Sequence, residues 1–557
     1  MHINPRNKVL LLVFLSIVLI LVTACTKNSN QSVSDSKNKN TSDPNTPINI
    51  SFFASPNANI IDLKTNTFTK YVEEKFNIKI NWQTVPTSDV ATKQSLILAS
   101  GDYPEVFWNG NFSTSDILKY SRQGIVLPLN DMLKKYAPNV WNAFQTDPSL
   151  KSLVAPDGKI YGLPNYNYCL HCYWGDKFWI NTALLEKYGL EMPTTTQEFE
   201  HVLEVFKQNG LTPLTASTDG WHADPTHFLM NAFIYDDGVN YFTIEDGDVV
   251  FAPAQTKWKE GLQYIHNLYD KGLLDRQAFS QKEEVVIRNV SQQKVGVFAA
   301  GGSNSIIQGG SANKDFSNWL SVPPLKGPNG IQYAGFYGNT PNNFTFIMTS
   351  NASKEQQIAV MKLLNYIWTP EGTQTLDFGP EGKYWTKAKS DQIGLDGKPA
   401  LFDTQWDKFY AGNARQNAGW DQMGPIYQSE KWRNGGAAMA PFSKGGDQTL
   451  LQLETIKNYA GHQPELVYPG AAWVPESDDQ QYSLYKTNIN KYVEQWTAEF
   501  IVGTKSIDKD WDKYISGLEN IGLKGYLKIS QKAMKEPFNT SEFKSDPTIV
   551  EALSSLK

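Results

Sequence analysis

The side chains with binding chemistry to offer are aromatic rings set beside amides, carboxylates or a guanidinium. Trp108 is followed by Asn109, Tyr173 precedes Trp174, and Trp221 is followed by His222 with Asp224 close behind. Phe336 and Tyr337 precede Asn339, Trp385 lies in a loop-like stretch, Arg415 leads into Asn417, Trp420 and Asp421, and Trp473 is followed by Glu476. A flat ring with hydrogen-bonding groups at its edge suits a molecule that has both apolar C–H faces and hydroxyl edges, as a sugar does. The residues expected to bind ligand are therefore Trp108, Asn109, Trp174, Trp221, Tyr337, Asn339, Trp385, Arg415, Trp420 and Trp473. Each competes with a plainer role, because large rings are also core fillers, and about half of the candidates are expected to be just that. For Trp179, Trp258, Trp368, Trp496 and Trp511, which fall on helical patterns, the core role wins.

Cys169-Leu170-His171-Cys172 is the other arrangement with chemical potential. A redox-active C-x-x-C would open a helix in a thioredoxin-like βαβ unit, whereas this one sits just after Gly162-Leu163-Pro164, between Tyr168 and Tyr173. A zinc site needs about four ligands; only His171 is adjacent, and His222 and His227 would have to come from elsewhere. A local disulfide between Cys169 and Cys172 is preferred over two buried thiols, and no metal is expected. No G-x-S-x-G, H-E-x-x-H or phosphate-binding Walker loop is present. No catalytic residue, cofactor or enzymatic activity is expected, although 57 acidic residues leave room for a glycosidase pair that nothing in the pattern singles out.

These residues sit in a chain of 557, long enough for two to four domains. Hydrophobic residues make up 40% and charged residues 19%, an ordinary globular balance. The net charge of −6 gives no basic bulk for phosphates, so nucleic acid is not an expected partner. Residues 1–24 read as a signal peptide: Arg6 and Lys8, then an apolar run from Val9 to Val22 too short to span a bilayer comfortably. The run ends in Leu21-Val22-Thr23-Ala24-Cys25, which resembles the bacterial lipobox, with Cys25 as the lipidated residue. Residues 25–47 then form a lipid anchor and a polar tether without aromatic residues. Two acyl chains of the palmitate kind suffice for stable membrane anchoring.

From Ile48 strands and helices alternate. INISFFA and IKINWQT read as strands, Ser88 as the cap of a helix to Ala99, and Val106-Phe107-Trp108 as a third strand. This βαβαβ order predicts a parallel sheet, whose ligands sit beyond the strands' carboxyl ends. Thr195 to Glu198 is a capping box ahead of an apolar helical face, Val295 to Ala300 a buried strand, and Ser353 the cap of a helix through Trp368, which Thr369-Pro370-Glu371-Gly372 ends. Asp246-Gly247-Asp248 reads as a hairpin turn. The stretch from about 447 to 540 is mostly helical.

Several segments, in order, resemble the large sugar-binding subfamily of extracellular solute-binding lipoproteins that serve ABC importers. They are Gly101-Asp102-Tyr103-Pro104-Glu105-Val106-Phe107, Gly124 to Leu129, Gly158 to Pro164, Asn181 to Pro193 with the capped helix after it, and Phe500 to Gly503 followed by Asp510-Trp511 and Tyr514. The resemblance implies an α/β, two-lobed periplasmic-binding-protein-like fold of type II, with the ligand cleft between lobes. Lobe 1 would take 48–165 plus 336–400, and lobe 2 would take 166–335 plus 401–557. It implies an oligosaccharide ligand, the transmembrane subunits of an ABC permease as partner, a monomeric state, and a lipid-anchored place on the outer face of the cell membrane. Some long members carry a calcium loop where this chain has Asn209-Gly210-Leu211-Thr212-Pro213, which lacks alternating oxygen ligands. A surface glycosidase or carbohydrate-binding lipoprotein, and a peptide-binding transport lipoprotein, are the alternatives.

Overall fold

The computed structural model describes residues 46–557 except 339, 340, 342 and 410–414. The expected signal peptide, Cys25 and nearly all of the tether lie outside the described residues, as does Asn339. Among the described residues no helix is long and apolar enough to cross a membrane.

Two sheets organise the body. The first has β1 (Ile48–Ala54), β2 (Ile78–Thr84), β3 (Val106–Asn109) and β4 (Gly162–Leu163). The second has β5 (Phe178–Asn181), β6 (Thr212–Thr215), β7 (Val295–Ala299) and β8 (Trp319–Ser321); the chain then returns to the first sheet as β9 (Phe346–Met348). The first sheet runs β2-β1-β3-β9-β4, and β1 lies parallel to both β2 and β3. The purely parallel sheet expected from the sequence becomes mixed, because β9 arrives from the second sheet and pairs antiparallel with β3 and β4. The second sheet runs β8-β5-β7-β6, with β6 and β7 parallel and β5 antiparallel to β7.

Local sequence explains most elements. Helix α1 (Thr67–Phe76) starts at Asn66, whose side chain accepts from the Phe68 N–H. Helix α2 (Val90–Ser100) begins one residue later than Ser88 allows, because Thr87–Asp89 forms a 3₁₀ turn first. Thr195 and Glu198 close the capping box of α3 (Thr196–Gln208), which buries Phe199, Val202, Leu203 and Phe206. Ser353 and Gln356 do the same for α4 (Lys354–Ile367). The expected stop at Thr369 to Gly372 is also a start: Thr369 caps a new helix, Pro370–Phe378, with proline at its first position, where no N–H is needed. Asp246 and Gly247 both take positive φ, as the expected hairpin turn requires.

Each sheet has its own core. Phe52, Phe53, Phe107, Trp108 and Phe346 join α4 residues in the first. The same cluster takes Trp420, Met423, Ile426, Ala471 and Trp473, from a stretch expected to belong with the second sheet. In the second sheet side chains alternate between faces. Phe178, Ile180, Val297 and Ala299 face the larger core with Phe199 and Trp258, while Trp179, Phe298 and Ala300 face a smaller one with Leu450 and Leu451. A third small cluster gathers Phe378, Tyr384, Trp385, Phe402, Phe409, Ala418 and Trp432. Two of the segments linking the sheets are hydrogen-bonded to each other, Tyr166–Asn167 running parallel to Tyr427–Gln428. Just after them Cys169 and Cys172 form a disulfide.

Candidate functional site

At the carboxyl edge of the second sheet the backbone ends leave room for a site. Strand β5 runs opposite to β7, so its amino end lies beside the carboxyl end of β7, and the Ala300 N–H donates to the Lys177 carbonyl. Asp176 is thereby fixed at this edge, and the Gly301 N–H donates to the Trp221 carbonyl at 2.8 Å. A cavity of about 660 Å³ opens here, lined by Asp176, Ser217, His222, Asp224, Tyr337 and Glu494 among others. That size suits a small-molecule site.

The rings at the rim are seated on glycines. A Cβ on Gly301 would collide with the Trp221 indole, and one on Gly175 with the His222 imidazole. The missing side chains let two flat groups lie against the backbone. Trp221 is 43% exposed, a large figure for an indole. It packs edge-on against His222 at 5.1 Å, and His222 against Tyr337 at 4.6 Å.

Asp176 orients this set. Its Oδ1 lies 3.0 Å from His222 Nδ1, and its Oδ2 accepts from the Tyr337 hydroxyl at 2.7 Å. Burial works against a charge on Asp176, but the bond to His222, the field of His227 and the bond from Tyr337 hold the carboxyl below its ordinary pKa. Asp176 therefore stays anionic, and the hydrogen on His222 belongs on Nδ1. Burial also opposes charge on His227; the Asp236 carboxylate at 2.8 Å, with Asp224 and Asp176 beyond it, outweighs burial and raises the imidazole well above its usual value. Asp224 caps the helix Pro225–Met230 by accepting from the Thr226 N–H. Glu494 faces the cavity from α7 (Glu476–Ile501), which follows two shorter helices, α5 (Glu430–Asn434) and α6 (Asp447–Asn458). Lys177 is buried and points the other way. It donates to the His171 and Trp174 carbonyls, and burial lowers its pKa to about 7 against the fields of Asp176 and Glu454.

Of the residues expected from the sequence, Trp221 and Tyr337 come together here with His222 and Asp224. The others are elsewhere. Trp108 has no exposed surface and stacks on Phe52 at 5.1 Å in the first core. Trp420 is equally sealed, its indole N–H donating to Thr69 Oγ1 at 2.8 Å. Trp174 is buried against Phe336 at 5.1 Å. Trp385 belongs to the small third cluster and donates to the Gly379 carbonyl, and Trp473 is buried with its N–H on the Ser152 carbonyl. In all five, packing of a large apolar ring outcompetes display of its face. Asn109 spends its amide on the Ser55 carbonyl and accepts from the Gly424 N–H, and Arg415 donates to the Ile60 and Ile61 carbonyls. Asp176, His227 and Glu494 were not anticipated. Asp176 follows the flagged Trp174 by two residues, but only the strand register makes it the centre of the network.

Residues 62–374 match the sequence profile of the bacterial extracellular solute-binding proteins. Over 485 residues the chain is 27% identical to the fructooligosaccharide ABC transporter substrate-binding protein FusA of Streptococcus pneumoniae, covering 83% of this chain and 85% of that protein. It is 26% identical over 271 residues to the lipoprotein LipO of Bacillus subtilis, covering 45% of this chain and 50% of that one. The solved structure of FusA in complex with kestose superposes with a TM-score of 0.66 at 24% identity, covering 87% of this chain and 98% of that chain. The shared architecture is the mixed α/β fold of periplasmic-binding-protein-like substrate-binding proteins.

Proposed function

We propose, because the chain belongs to the family of bacterial extracellular solute-binding proteins, that it captures an oligosaccharide for an ABC importer and hands it to a membrane permease. The observation that carries this reading is the exposed Trp221 ring, seated on Gly301 beside the His222–Asp176–Tyr337 network at a carboxyl sheet edge. The ring offers a platform for a sugar face, and the polar groups offer partners for hydroxyls. That a relative as similar as FusA is named for fructooligosaccharides supports the ligand class. The protein acts as a clamp: a ligand that touches both lobes binds the closed form more tightly and so draws the equilibrium toward it. It binds and releases its ligand unchanged, as a monomer.

The chain is held at the outer face of the membrane by acyl chains on Cys25, a reading supported by the lipobox-like sequence and by the likeness to LipO. Replacing Cys25 by Ala releases the protein into the medium; a variant that still sediments with membranes would remove the anchor from this reading.

The ligand class is tested by thermal unfolding of the soluble body with panels of oligosaccharides, monosaccharides and peptides. A true ligand at 100 times its dissociation constant adds about 2.7 kcal/mol of stability. A shift with peptides and none with oligosaccharides would overturn the carbohydrate reading, and hydrolysis of a bound oligosaccharide would overturn the clamp.

A further inference from the structure

A second cavity, of about 620 Å³, opens between the small third cluster and the amino end of α6. Its charge is the reverse of the first. The cavity beside Trp221 is lined by Asp176, Asp224 and Glu494 against two imidazoles. The second presents Lys408, Arg433 and Lys444 against a single lining carboxylate, Asp403. Asp403 is already engaged, since its Oδ2 accepts from the Gln392 amide at 2.9 Å. Lys444 makes no ion pair with a described side chain, and Lys408, which donates to the Lys383 carbonyl at 2.9 Å, meets no described carboxylate. In a chain of net charge −6, three cations around one recess are not a reflection of bulk composition.

The recess also has the parts of a built site. Trp406 is half-buried, and the Arg433 guanidinium lies over its ring at 5.9 Å. Arg433 donates to the Gln448 amide oxygen at 3.2 Å, which fixes the fork that a carboxylate would meet. Its charge is felt nearby: after burial, Arg433 is the next cause that holds the His171 imidazole well below its usual pKa.

The two cavities are neighbours across one turn of chain. Arg433 reaches the Cys169 sulfur at 3.9 Å on one side, and His171 packs edge-on against Trp221 at 6.4 Å on the other. The disulfide and the buried Lys177, which holds the His171 and Trp174 carbonyls, stiffen the turn between them.

We infer that this second cavity is a subsite for an anionic sugar unit, its carboxylate held by Arg433, Lys408 and Lys444 and its ring against Trp406. The captured oligosaccharide is then acidic toward one end and neutral toward Trp221. This deepens the carbohydrate-capture reading and rests on it. A focused positive recess attracts an anion and does nothing for a neutral sugar of the same size, so the carboxylate supplies the discrimination.

The test measures affinities for acidic trisaccharides of several backbones (galacturonate, mannuronate and sialylated), each paired with its carboxyl-methylated neutral counterpart. At least one acid should bind about tenfold or more tightly than its neutral partner, the difference shrinking as salt is raised. The double variant Lys408→Gln with Lys444→Gln, which leaves the Arg433 contacts intact, should lose most of that difference and keep the affinity for the neutral sugar and the unliganded melting temperature. Arg433→Gln should do the same more severely. Neutral oligosaccharides binding as well as or better than every acid, or a preference untouched by the lysine substitutions, would overturn the subsite and leave carbohydrate capture standing. Binding of no saccharide of either kind would overturn both.

Discussion

The two sheets carry the same sequence signal at their carboxyl ends, a tryptophan next to a polar residue, and resolve it in opposite ways. At the first sheet, Trp108 and Trp420 turn inward and pack edge to face 5.3 Å apart, and the neighbouring polar groups are spent on backbone. Asn109 ties Ser55 to Gly424, while Asn57 Nδ2 donates to the Asp421 carbonyl. At the second sheet, Trp221 stays on the surface and the polar groups bond to each other around Asp176. The first end is a pin that holds the chain where it re-enters the core; the second is a surface that can receive something. The difference lies in what covers each strand end. The first is capped by the returning segment 415–426, while the Trp221 ring rests on Gly301 and meets His222 and His171 only edge-on, which leaves it 43% exposed.

The comparison breaks most readily at Trp420. Its replacement by Ala should cost about 3–5 kcal/mol of stability, as for other buried tryptophans, and should be read as a fall in melting temperature with ligand affinity unchanged in the folded protein. A weaker ligand without loss of stability would make the first sheet's end part of the site. Next comes Trp221→Ala, which should leave the unliganded melting temperature nearly intact and lower oligosaccharide affinity by about 2 kcal/mol, roughly thirtyfold. Calorimetric titration decides it, and an unchanged dissociation constant would remove the platform.

The two ends also differ in pH dependence. Asp377 lies under the 420–422 turn, accepting from the Gln428 amide and the Gln422 N–H. Burial raises its pKa from 3.8 to about 7, with the Asp421 carboxylate adding to burial. The folded protein therefore holds a proton that the unfolded chain has already lost. The stability tied to that proton is complete below about pH 3.8 and is lost as pH climbs through about 7. At the second sheet the raised pKa of His227 gives a component that is complete below 6.5 and lost only above it. Urea midpoints between pH 4 and 7 should show Asp377→Asn flattening the first component and sparing ligand affinity; an unaltered slope would assign the dependence to other groups.

Much of this was readable in the order of residues. The capping boxes at Thr195 and Ser353 and the hairpin at Asp246-Gly247 are local matters of hydrogen bonding and backbone freedom, so a few residues settle them. The ordered motifs from Gly101 to Tyr514 led to the family. For the aromatic candidates, adjacency to a polar residue marked alike Trp221, which the fold leaves exposed, and Trp420, which it buries, because both carry the same local pattern.

By itself, then, the sequence determined the alternation of strands and helices, the excess of rings, the polar partners beside them and the family resemblance, since each rests on neighbours within a few residues or on motif order. Only the tertiary structure decided which rings face solvent, that β9 enters the first sheet antiparallel, that Asp176 joins His222 and Tyr337, and that cations from 408, 433 and 444 share one recess. Those outcomes depend on burial and on contacts between residues tens to hundreds of positions apart, and the cost of leaving a ring exposed or a charge unpaired is set by what the fold brings against it.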